Sequence, residues 1–498
     1  MKKLLPLFFL ALSVTPINAQ KYKKVPEAKF AIAQPNAHLR FLASDALLGR
    51  KTGEQGNNVA ARYIAEQFRK FGVKPANGDS YLQKVPFEKA APSTLGIITT
   101  KEATLNVGED FVVMSGGGLG LSNNAVVHVG YGWVDETTGY DDYKGIDVKD
   151  KVVIAQVGTP DSKTPQEVFG AMAAKRKFAA DRGAAAFIEI YNLQIPWKTV
   201  VNFFGKPSLR LKEKESEGKN MLHLWVNAEP GKALAKNKIE ELNLNVGEKQ
   251  SQSVMSQNVV GIIEGTDPVL KNEYLVLTAH FDHIGYGSES GRVTAEDSIF
   301  NGARDNAFGT TAVLTAAEAL SLKPAKRSIL LIAYTGEEIG LLGSKYYSEH
   351  PLIPLEKCVF NLNCDGAGYD TKEQVSVIGL NRTSAEKHIV KAAATLGLTA
   401  GDDPAPEQGL FDRSDNVSLA KMGIPSPNYA PGMTSFSEEI YKYYHQVTDN
   451  PENIDPAYLL KYCQSYTYAA RLIANDKAKP TWVSGDKYEK AYNELYGR

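Results

Sequence analysis

Potential metal ligands follow three hydrophobic segments in the second half of the sequence. The segment YLVLTA runs into His280 and Asp282. SILLIAY is followed by Glu337 and Glu338, and CVFNLN is followed by Asp365. Imidazole and carboxylate groups are both zinc ligands, and a catalytic zinc site also leaves one position for water. These residue types therefore predict a metal centre that activates water.

Two further residues extend this set. Asp305 lies in NGARDNAFGT, just before a predicted helix, and His445 lies in the aromatic stretch YKYYHQVTD. The enlarged set exceeds the four ligands of one tetrahedral zinc. It fits two ions that share a carboxylate and lie about 3.5 to 4 Å apart. A carboxylate left over could act as the general base toward water, and the adjacent Glu337 and Glu338 suit that division of roles.

The elements that must position these residues are alternating strands and helices. From Asn258 onward, the predicted strands are separated by the helix TTAVLTAAEAL and by a Gly-rich turn. This alternation predicts an α/β fold, with a mostly parallel central sheet flanked by helices. In such sheets the ligand crevice lies beyond the carboxyl ends of the strands. We therefore expect the candidate ligands to converge at one edge of the sheet.

Composition limits the class of protein. The chain has 498 residues, of which 43% are hydrophobic and 23% charged, as in soluble proteins of more than one domain. Lys plus Arg number 56 against 57 Asp plus Glu, giving a net charge of -1. No overall positive field exists to attract a phosphate backbone, so nucleic acid is not expected as a partner.

The first residues have the pattern of a cleavable export signal. Lys2 and Lys3 precede an apolar run from Leu4 to Val14, and the small residue Ala19 follows. The run is shorter than the roughly 18 apolar residues that span a bilayer. Residues 1–19 are therefore predicted to be a signal peptide, which makes the mature protein secreted or periplasmic and without a membrane span.

The pattern of residues changes in the middle of the chain. Residues 108–257 contain short β-rich runs, such as NAVVHVGYG and KVVIAQVG, separated by Gly and Asp turns. We expect this region to be an inserted domain. The flanking parts, 20–107 and 258–475, would form one discontinuous domain. The polar residues 476–498 are expected to be a peripheral or mobile C-terminal tail.

Five motifs resemble the di-zinc aminopeptidase and glutamate carboxypeptidase family of metallopeptidases, peptidase family M28. In the family's order, they are HFDHIG, NGARDNAFGT, TGEEIGLLGS, NLNCDGAG and YYHQVTDNPENI. HLRFLASDALLGRKTG also resembles the family's opening segment. YDDYKGIDVKDKVVIAQVG resembles a protease-associated domain. The resemblance implies a zinc exopeptidase fold with an inserted β-rich protease-associated domain.

The resemblance also implies two Zn²⁺ ions per chain and a metal role for five residues. His280 and Asp365 would bind one zinc, Glu338 and His445 would bind the other, and Asp305 would bridge them.

Three more residues receive catalytic roles from the same resemblance. Glu337 would be the general base, and Asp282 would orient His280 through the other ring nitrogen. Tyr444 would help to polarise the scissile carbonyl.

The sequence departs from the family pattern at several points. His283 offers a second imidazole within HFDH, which we expect to lie in the pocket or behind the ligands rather than on a metal. Asn416 stands where many relatives have His, and this weakens any substrate role for Asp415 or Asn416. The separation of His280 and Asp305 is longer than in compact members. The extra loop, residues 286–300, would be either part of the pocket wall or a surface excursion.

These observations predict a secreted di-zinc exopeptidase acting on peptides, specifically an aminopeptidase that removes N-terminal residues. One alternative is a carboxypeptidase or dipeptidase on the same scaffold, which needs a cation for the substrate carboxylate; Arg304, Arg382 and Arg413 are candidates. A second alternative is a non-catalytic, receptor-like binding protein, and a third is aminoacyl cyclisation at a single zinc. The filled ligand positions disfavour both. The inserted domain is hypothesised to control substrate access. The preferred residue and the oligomeric state stay open.

Overall fold

The structure is a computed structural model that describes residues 30–212, 221–235 and 238–497. The predicted signal peptide, residues 1–19, lies outside the described residues. Among the described helices, none combines the length and apolar character needed to cross a bilayer.

The helices of the described residues are α1 (Ala33–Leu42), α2 (Gln55–Lys70), α3 (Pro165–Asp181), α4 (Trp197–Phe204), α5 (Ala228–Gly231), α6 (Phe308–Leu322), α7 (Leu342–Glu349), α8 (Glu386–Thr395), α9 (Asn416–Lys421), α10 (Glu438–Tyr441), α11 (Pro456–Asn475) and α12 (Glu489–Tyr496).

The strands are β1 (Lys74–Pro75), β2 (Leu82–Ala91), β3 (Gly96–Thr99), β4 (Thr104–Asn106), β5 (Phe111–Ser115), β6 (Leu119–His128), β7 (Val134–Asp135), β8 (Tyr140–Asp141), β9 (Val152–Gln156), β10 (Ala186–Tyr191), β11 (Ser208–Leu211), β12 (Leu222–Asn227), β13 (Glu241–Val246), β14 (Gln250–Ile263), β15 (Tyr274–His280), β16 (Gly285–Tyr286), β17 (Ile299–Phe300), β18 (Ser328–Tyr334), β19 (Cys358–Asn363), β20 (Gln374–Ile378), β21 (Thr399–Gly401) and β22 (Asn428–Pro431).

The described chain divides into two compact units. One holds the residues up to Val85 and those from Met255 onward, and the other holds Pro86–Val254. The second unit begins before the boundary predicted at residue 108, because β3 pairs with β13 and β4 pairs with β3. The sequence pattern did not show that these two short strands belong to the sheet of the second unit.

The first unit contains a mixed sheet in the order β14–β18–β15–β19–β22–β20–β21. Its centre is parallel, since β15 runs parallel to both β18 and β19, and β19 runs parallel to β22. The β14–β18 and β20–β22 pairs are antiparallel. The alternation of strands and helices predicted the parallel centre but carried no information about these reversed strands.

Helices cover both faces of this sheet. Leu275 and Leu277 of β15 belong to a hydrophobic core shared with α6 and α11, whereas the intervening Val276 belongs to a core shared with α7 and α9. Because successive strand residues point to opposite faces, a strand buried on both sides is apolar throughout. This double burial leaves the carboxyl edge as the place where polar side chains can emerge.

The C-terminal residues 476–498 differ from the expected peripheral tail. Trp482, Tyr488 and Tyr492 are buried in a core with Ile378 and Phe411. The indole N–H of Trp482 donates to the carbonyl of Gly423 at 3.0 Å. The charged residues between these aromatic side chains concealed their contribution to packing.

The second unit has its own sheet, in the order β4–β3–β13–β6–β9–β10–β12–β5. The strands from β6 to β12 in this order are parallel, and α3 begins with a capping box formed by Thr164 and Glu167. The resemblance of this unit to a protease-associated domain stays a prediction.

A buried polar network lies inside the second unit. Lys175 of α3 forms an ion pair with Glu189 of β10. The same carboxylate contacts His223 Nε2 at 2.7 Å and accepts from Trp225 Nε1 at 2.8 Å. Each partner satisfies a group that would otherwise be costly to bury.

Candidate metal centre

Two groups of ligand-type side chains lie next to each other at the carboxyl edge of the first unit's sheet. Within each group, one potential ligand atom per residue lies within 4.8 Å of the others. The first group is His280, Glu337 and Asp365, and the second group is His283, Asp305, Glu338 and His445. All five predicted metal ligands and the predicted base therefore lie in these two groups.

Strand geometry explains this convergence. His280 is the last residue of β15 and is in register with Tyr334, the last residue of β18. Glu337 and Glu338 follow β18 in a turn, and Asp365 follows β19. Because the three strands are adjacent and parallel, residues just beyond their ends meet at one edge.

Asp305 lies between the two groups. Its Oδ1 is 3.3 Å from His280 Nε2, and its Oδ2 is 3.2 Å from His445 Nε2. The residue sits in a non-helical segment before α6, and its side chain is buried. One oxygen thus faces each group, which is the orientation that a bridging carboxylate requires.

Asp282 belongs to neither group and supports both. Its Oδ1 is 3.7 Å from His280 Nδ1, which lies nearer to the Asp282 carbonyl, at 3.2 Å. Its carboxylate accepts from the backbone N–H groups of Glu337 and Glu338, at 3.2 and 3.4 Å. Thr52 donates to it as well, at 2.9 Å. Asp282 therefore fixes the turn that carries the glutamate pair in addition to contacting His280.

The adjacent glutamates have opposite pKa shifts. Burial raises the pKa of Glu337 well above its usual value; His280 opposes that rise, and the nearby Asp365 and Glu338 add to it. Burial and Asp305 also act to raise the pKa of Glu338, but His283 and His445 outweigh them and bring it to about 2. Glu338 is thus held ionised like a ligand, and Glu337 is the one more ready to take a proton.

His283 is more closely involved than the sequence suggested. Its Nδ1 is 2.6 Å from Glu338 Oε1, and its ring centroid is 5.5 Å from that of His445. Among the described residues, no side chain or backbone group forms a hydrogen bond with its buried Nε2. The expectation that His283 lies in the pocket or behind the ligands rather than on a metal stays a prediction, and the second imidazole of HFDH was the sequence signal for its presence here.

Three supporting residues were not predicted to belong to the site. Ser414 donates to Oδ2 of Asp365. Asp449 accepts from the backbone N–H groups of Arg304 and Asp305, at 3.0 and 3.3 Å. Burial raises the pKa of Asp449 to about 6. These contacts hold two of the candidate ligands in place.

Arg50, the third of these residues, comes from the opening segment. It is almost fully buried, and its guanidinium donates to the carbonyls of Leu42, Phe281, Asn301 and Gly302. Three of these carbonyls lie close to candidate ligands in the sequence: Phe281 follows His280, and Asn301 and Gly302 precede Asp305. The segment HLRFLASDALLGRKTG therefore braces the loops that carry the ligands.

A cavity of about 80 Å³ opens beside the two groups. Tyr444 lines it and stacks on His445 with ring centroids 4.1 Å apart. Burial, with Asp305 and Glu338, raises the pKa of Tyr444, so its phenol stays protonated and able to donate. None of the described residues 286–300 lines this cavity; β16 and β17 instead form a small hairpin.

The three candidate arginines differ in position. Arg304 is buried, donates to the Tyr369 carbonyl at 3.0 Å and lies over the Tyr443 ring. Arg382 pairs with Asp486, at 2.7 Å. Arg413 lines the cavity.

The segment around Asn416 has a mainly structural role. Asn416 donates its amide to the carbonyls of Phe411 and Ser426, at 3.0 and 3.2 Å. Asp415 is buried, and burial raises its pKa to about 7, while the nearby His280 opposes that rise. Neither residue lines the cavity.

Residues 258–469 match the model of peptidase family M28. The chain therefore contains an M28 peptidase domain. The matched range includes every residue of the two groups, so the M28 domain and the candidate metal centre coincide.

Two curated relatives have similar sequences over part of their length. Aminopeptidase YwaD of Bacillus subtilis (strain 168) is 28% identical over 272 residues, which cover 53% of this chain and 54% of that protein. A probable zinc metalloprotease of Pyrenophora teres f. teres (strain 0-1) is 27% identical over 190 residues, covering 37% of this chain and 38% of that protein. The chain thus matches about half or less of the length of these relatives.

One solved structure shares the fold over most of the chain. The aminopeptidase from Aneurinibacillus sp. strain AM-1 aligns with a TM-score of 0.54 and 19% identity, covering 91% of this chain and 96% of that one. The M28 domain and the residues around it therefore have the fold of a known aminopeptidase.

Proposed function

We propose that the chain is a di-zinc aminopeptidase that releases N-terminal residues from peptides. The observation that carries this proposal is the carboxylate of Asp305, which directs one oxygen toward each of two adjacent ligand groups. The donor set fits zinc, because imidazole nitrogens and carboxylate oxygens are both zinc ligands.

In this proposal, the ligands divide between the two ions as the family resemblance implies. His280 and Asp365 would hold one zinc, Glu338 and His445 the other, with Asp305 shared. Bound zinc would polarise the substrate carbonyl and lower the pKa of water.

Glu337 would act as the general base. It lines the cavity and belongs to the first group, with its Oε2 3.9 Å from His280 Nε2. The family resemblance implies His280, Asp305 and Asp365 as the ligands there, which leaves Glu337 to act on water. Burial favours its protonated form, which suits a group that takes a proton from the attacking water and then passes it to the leaving amine. Asp282 holds the backbone of this residue in place.

Tyr444 would stabilise the carbonyl oxygen of the substrate. Its phenol lines the cavity and stays protonated, so it can donate a hydrogen bond as negative charge develops on that oxygen.

The lining of the cavity supports a hydrolytic centre. The candidate base Glu337, the candidate ligands and Tyr444 all border the same opening of about 80 Å³. The sequence of residues 1–19 supports a secreted or periplasmic location for the enzyme.

The test measures release of free amino acids from Leu-Ala-Ala-amide and from its N-acetylated form, with and without a chelator. We expect cleavage of the unblocked peptide alone, loss of that cleavage with chelator, and recovery when zinc is returned. Cleavage of N-blocked peptides that carry a free C-terminus would instead favour the carboxypeptidase alternative. No hydrolysis in any condition would favour a binding protein.

A further inference from the structure

Arg413 is a cation of the cavity wall with no hydrogen-bond or ion-pair partner among the described residues. Of the described residues that line the cavity, it is the only Lys or Arg. It is exposed, and no carboxylate or carbonyl of the described residues forms an ion pair or hydrogen bond with its guanidinium. In contrast, Arg304 and Arg382 are engaged by backbone carbonyls or by Asp486.

The backbone around Arg413 is fixed beside the metal centre. The next residue, Ser414, donates to Oδ2 of Asp365 and accepts from Nδ2 of Asn363 at 2.9 Å. Arg413 is the last residue of a short 3-10 helix, Leu410–Arg413. It is also close enough to Tyr444 to oppose the rise in pKa that burial causes in that phenol. The backbone that carries Arg413 is therefore fixed beside the candidate metal centre, and its side chain lines the cavity.

The rest of this wall is apolar. Ile378, Leu410, Met433 and Phe436 line the same cavity, and Phe436 packs edge-on against Tyr444 at 5.7 Å. The acidic residues of the cavity belong to the two ligand groups and are paired with imidazoles. An arginine beside apolar side chains is suited to a ligand with an aliphatic stem and a terminal carboxylate.

We propose that Arg413 binds a carboxylate of the substrate and so gives the enzyme a preference for acidic or very short peptides. This inference rests on the proposed aminopeptidase function. The carboxylate has two possible sources: the side chain of an N-terminal Glu or Asp, or the C-terminus of a dipeptide. Arginine recognises both with the same paired N–H groups.

Two matched pairs of substrates distinguish these sources. Glu-Ala-Ala-amide against Gln-Ala-Ala-amide reports on a side-chain carboxylate, and Leu-Ala against Leu-Ala-amide reports on a terminal carboxylate. In at least one pair we expect kcat/KM to be about ten- to a hundredfold higher for the carboxylate form, as for a charge-assisted hydrogen bond.

Variants then assign the preference to Arg413. Arg413→Met is expected to bring the ratio of the preferred pair close to one, and Arg413→Lys to restore part of it, because lysine keeps the charge but loses the fork geometry. Arg62→Met is the matched control: Arg62 is an exposed arginine of α2 that pairs with Glu66 outside the cavity. This control should keep the wild-type ratio.

The results separate this inference from the function on which it rests. Release of leucine from Leu-Ala-Ala-amide with ratios near one in both wild-type pairs would overturn the role of Arg413 and leave the aminopeptidase intact. A carboxylate preference that survives in Arg413→Met would also overturn it. No release from any unblocked peptide would contradict the proposed function, and this inference with it.

Discussion

The ligand side chains depend on neighbours that do not line the cavity. Asp449 accepts hydrogen bonds from two consecutive backbone N–H groups, those of Arg304 and Asp305, and its own carbonyl accepts from Ala303 at 3.2 Å. The position of the bridging carboxylate is thus fixed through the backbone. Groups that orient metal ligands in this way contribute to metal affinity although they never touch the ion.

Asp449→Asn tests this positioning role. The amide keeps the size of the carboxylate but weakens the charged acceptor that faces two N–H groups. We expect zinc affinity, measured by competition with a chromogenic chelator, to fall by about ten- to a hundredfold. The matched control is Asp370→Asn, since Asp370 accepts from Thr434 at an exposed position. Equal zinc affinity in the wild type and Asp449→Asn would contradict the role.

At the scale of residues, the sequence predicted the candidate ligands better than the residues that hold those ligands in place. His280, Glu338 and Asp365 stand out because acidic residues and histidines after buried strands have few structural uses. Asp305 and His445 stand out through the motifs NGARDNAFGT and YYHQVTDNPENI. The supporting bonds of Arg50 and Asp449 end on backbone atoms, and such bonds leave no spacing pattern in a sequence. The contact between His283 and Glu338 joins residues far apart along the chain.

At the scale of elements, the order of strands determines where the chemistry lies. The parallel trio β18, β15 and β19 was predictable, because their apolar runs alternate with helices. The antiparallel β14 and β20 were not, because a strand of the same composition can run in either direction. The candidate ligands nevertheless meet at the carboxyl edge, as expected, because His280, Glu338 and Asp365 follow the three parallel strands.

The contact between α1 and α2 gives a pH-dependent prediction. His38 of α1 is buried, and its Nδ1 is 2.8 Å from the hydroxyl of Tyr63 on α2. Burial, assisted by Lys70, lowers the pKa of His38 from 6.5 to about 4. Between these values the unfolded chain binds a proton on His38 and the folded chain does not, so the free energy of unfolding falls as the pH falls.

Removing the titrating group should remove this dependence. The penalty at pH 5 relative to pH 7.5 is about 2 kcal/mol. We expect His38→Gln to lose less stability than the wild type between these pH values, by about that amount, in urea unfolding of the metal-free protein. His350→Gln is the control, because His350 is exposed and its ring contacts no carboxylate among the described residues. Identical pH dependence in the wild type and His38→Gln would show that His38 is not buried in its neutral form.

At the scale of the whole molecule, the described chain combines an M28 domain with a separately packed second unit. The interruption of the first unit was predicted because β-rich runs replace the strand–helix alternation in the middle of the sequence. The start of the second unit was predicted too late, because β3 and β4 lack a distinctive pattern. The packing of Trp482 and Tyr492 was missed because their segment is otherwise polar.

The proposed hydrolytic mechanism requires two zinc ions and a separate base. The two groups supply enough donors for both ions, with Glu337 left over as a base. Burial raises the pKa of Glu337. Replacing Glu337 by Gln keeps the shape of the side chain but removes its ability to accept a proton. Metal binding and turnover should therefore separate in this variant.

The most direct test measures zinc content and turnover of Leu-Ala-Ala-amide on the same samples of wild type and Glu337→Gln. We predict about two zinc ions per chain in both proteins, and a loss of kcat of about 10² to 10⁴ in the variant. Near-normal turnover by the zinc-loaded variant would show that Glu337 is not the base, and a wild type saturated at about one zinc per chain would contradict the two-ion centre.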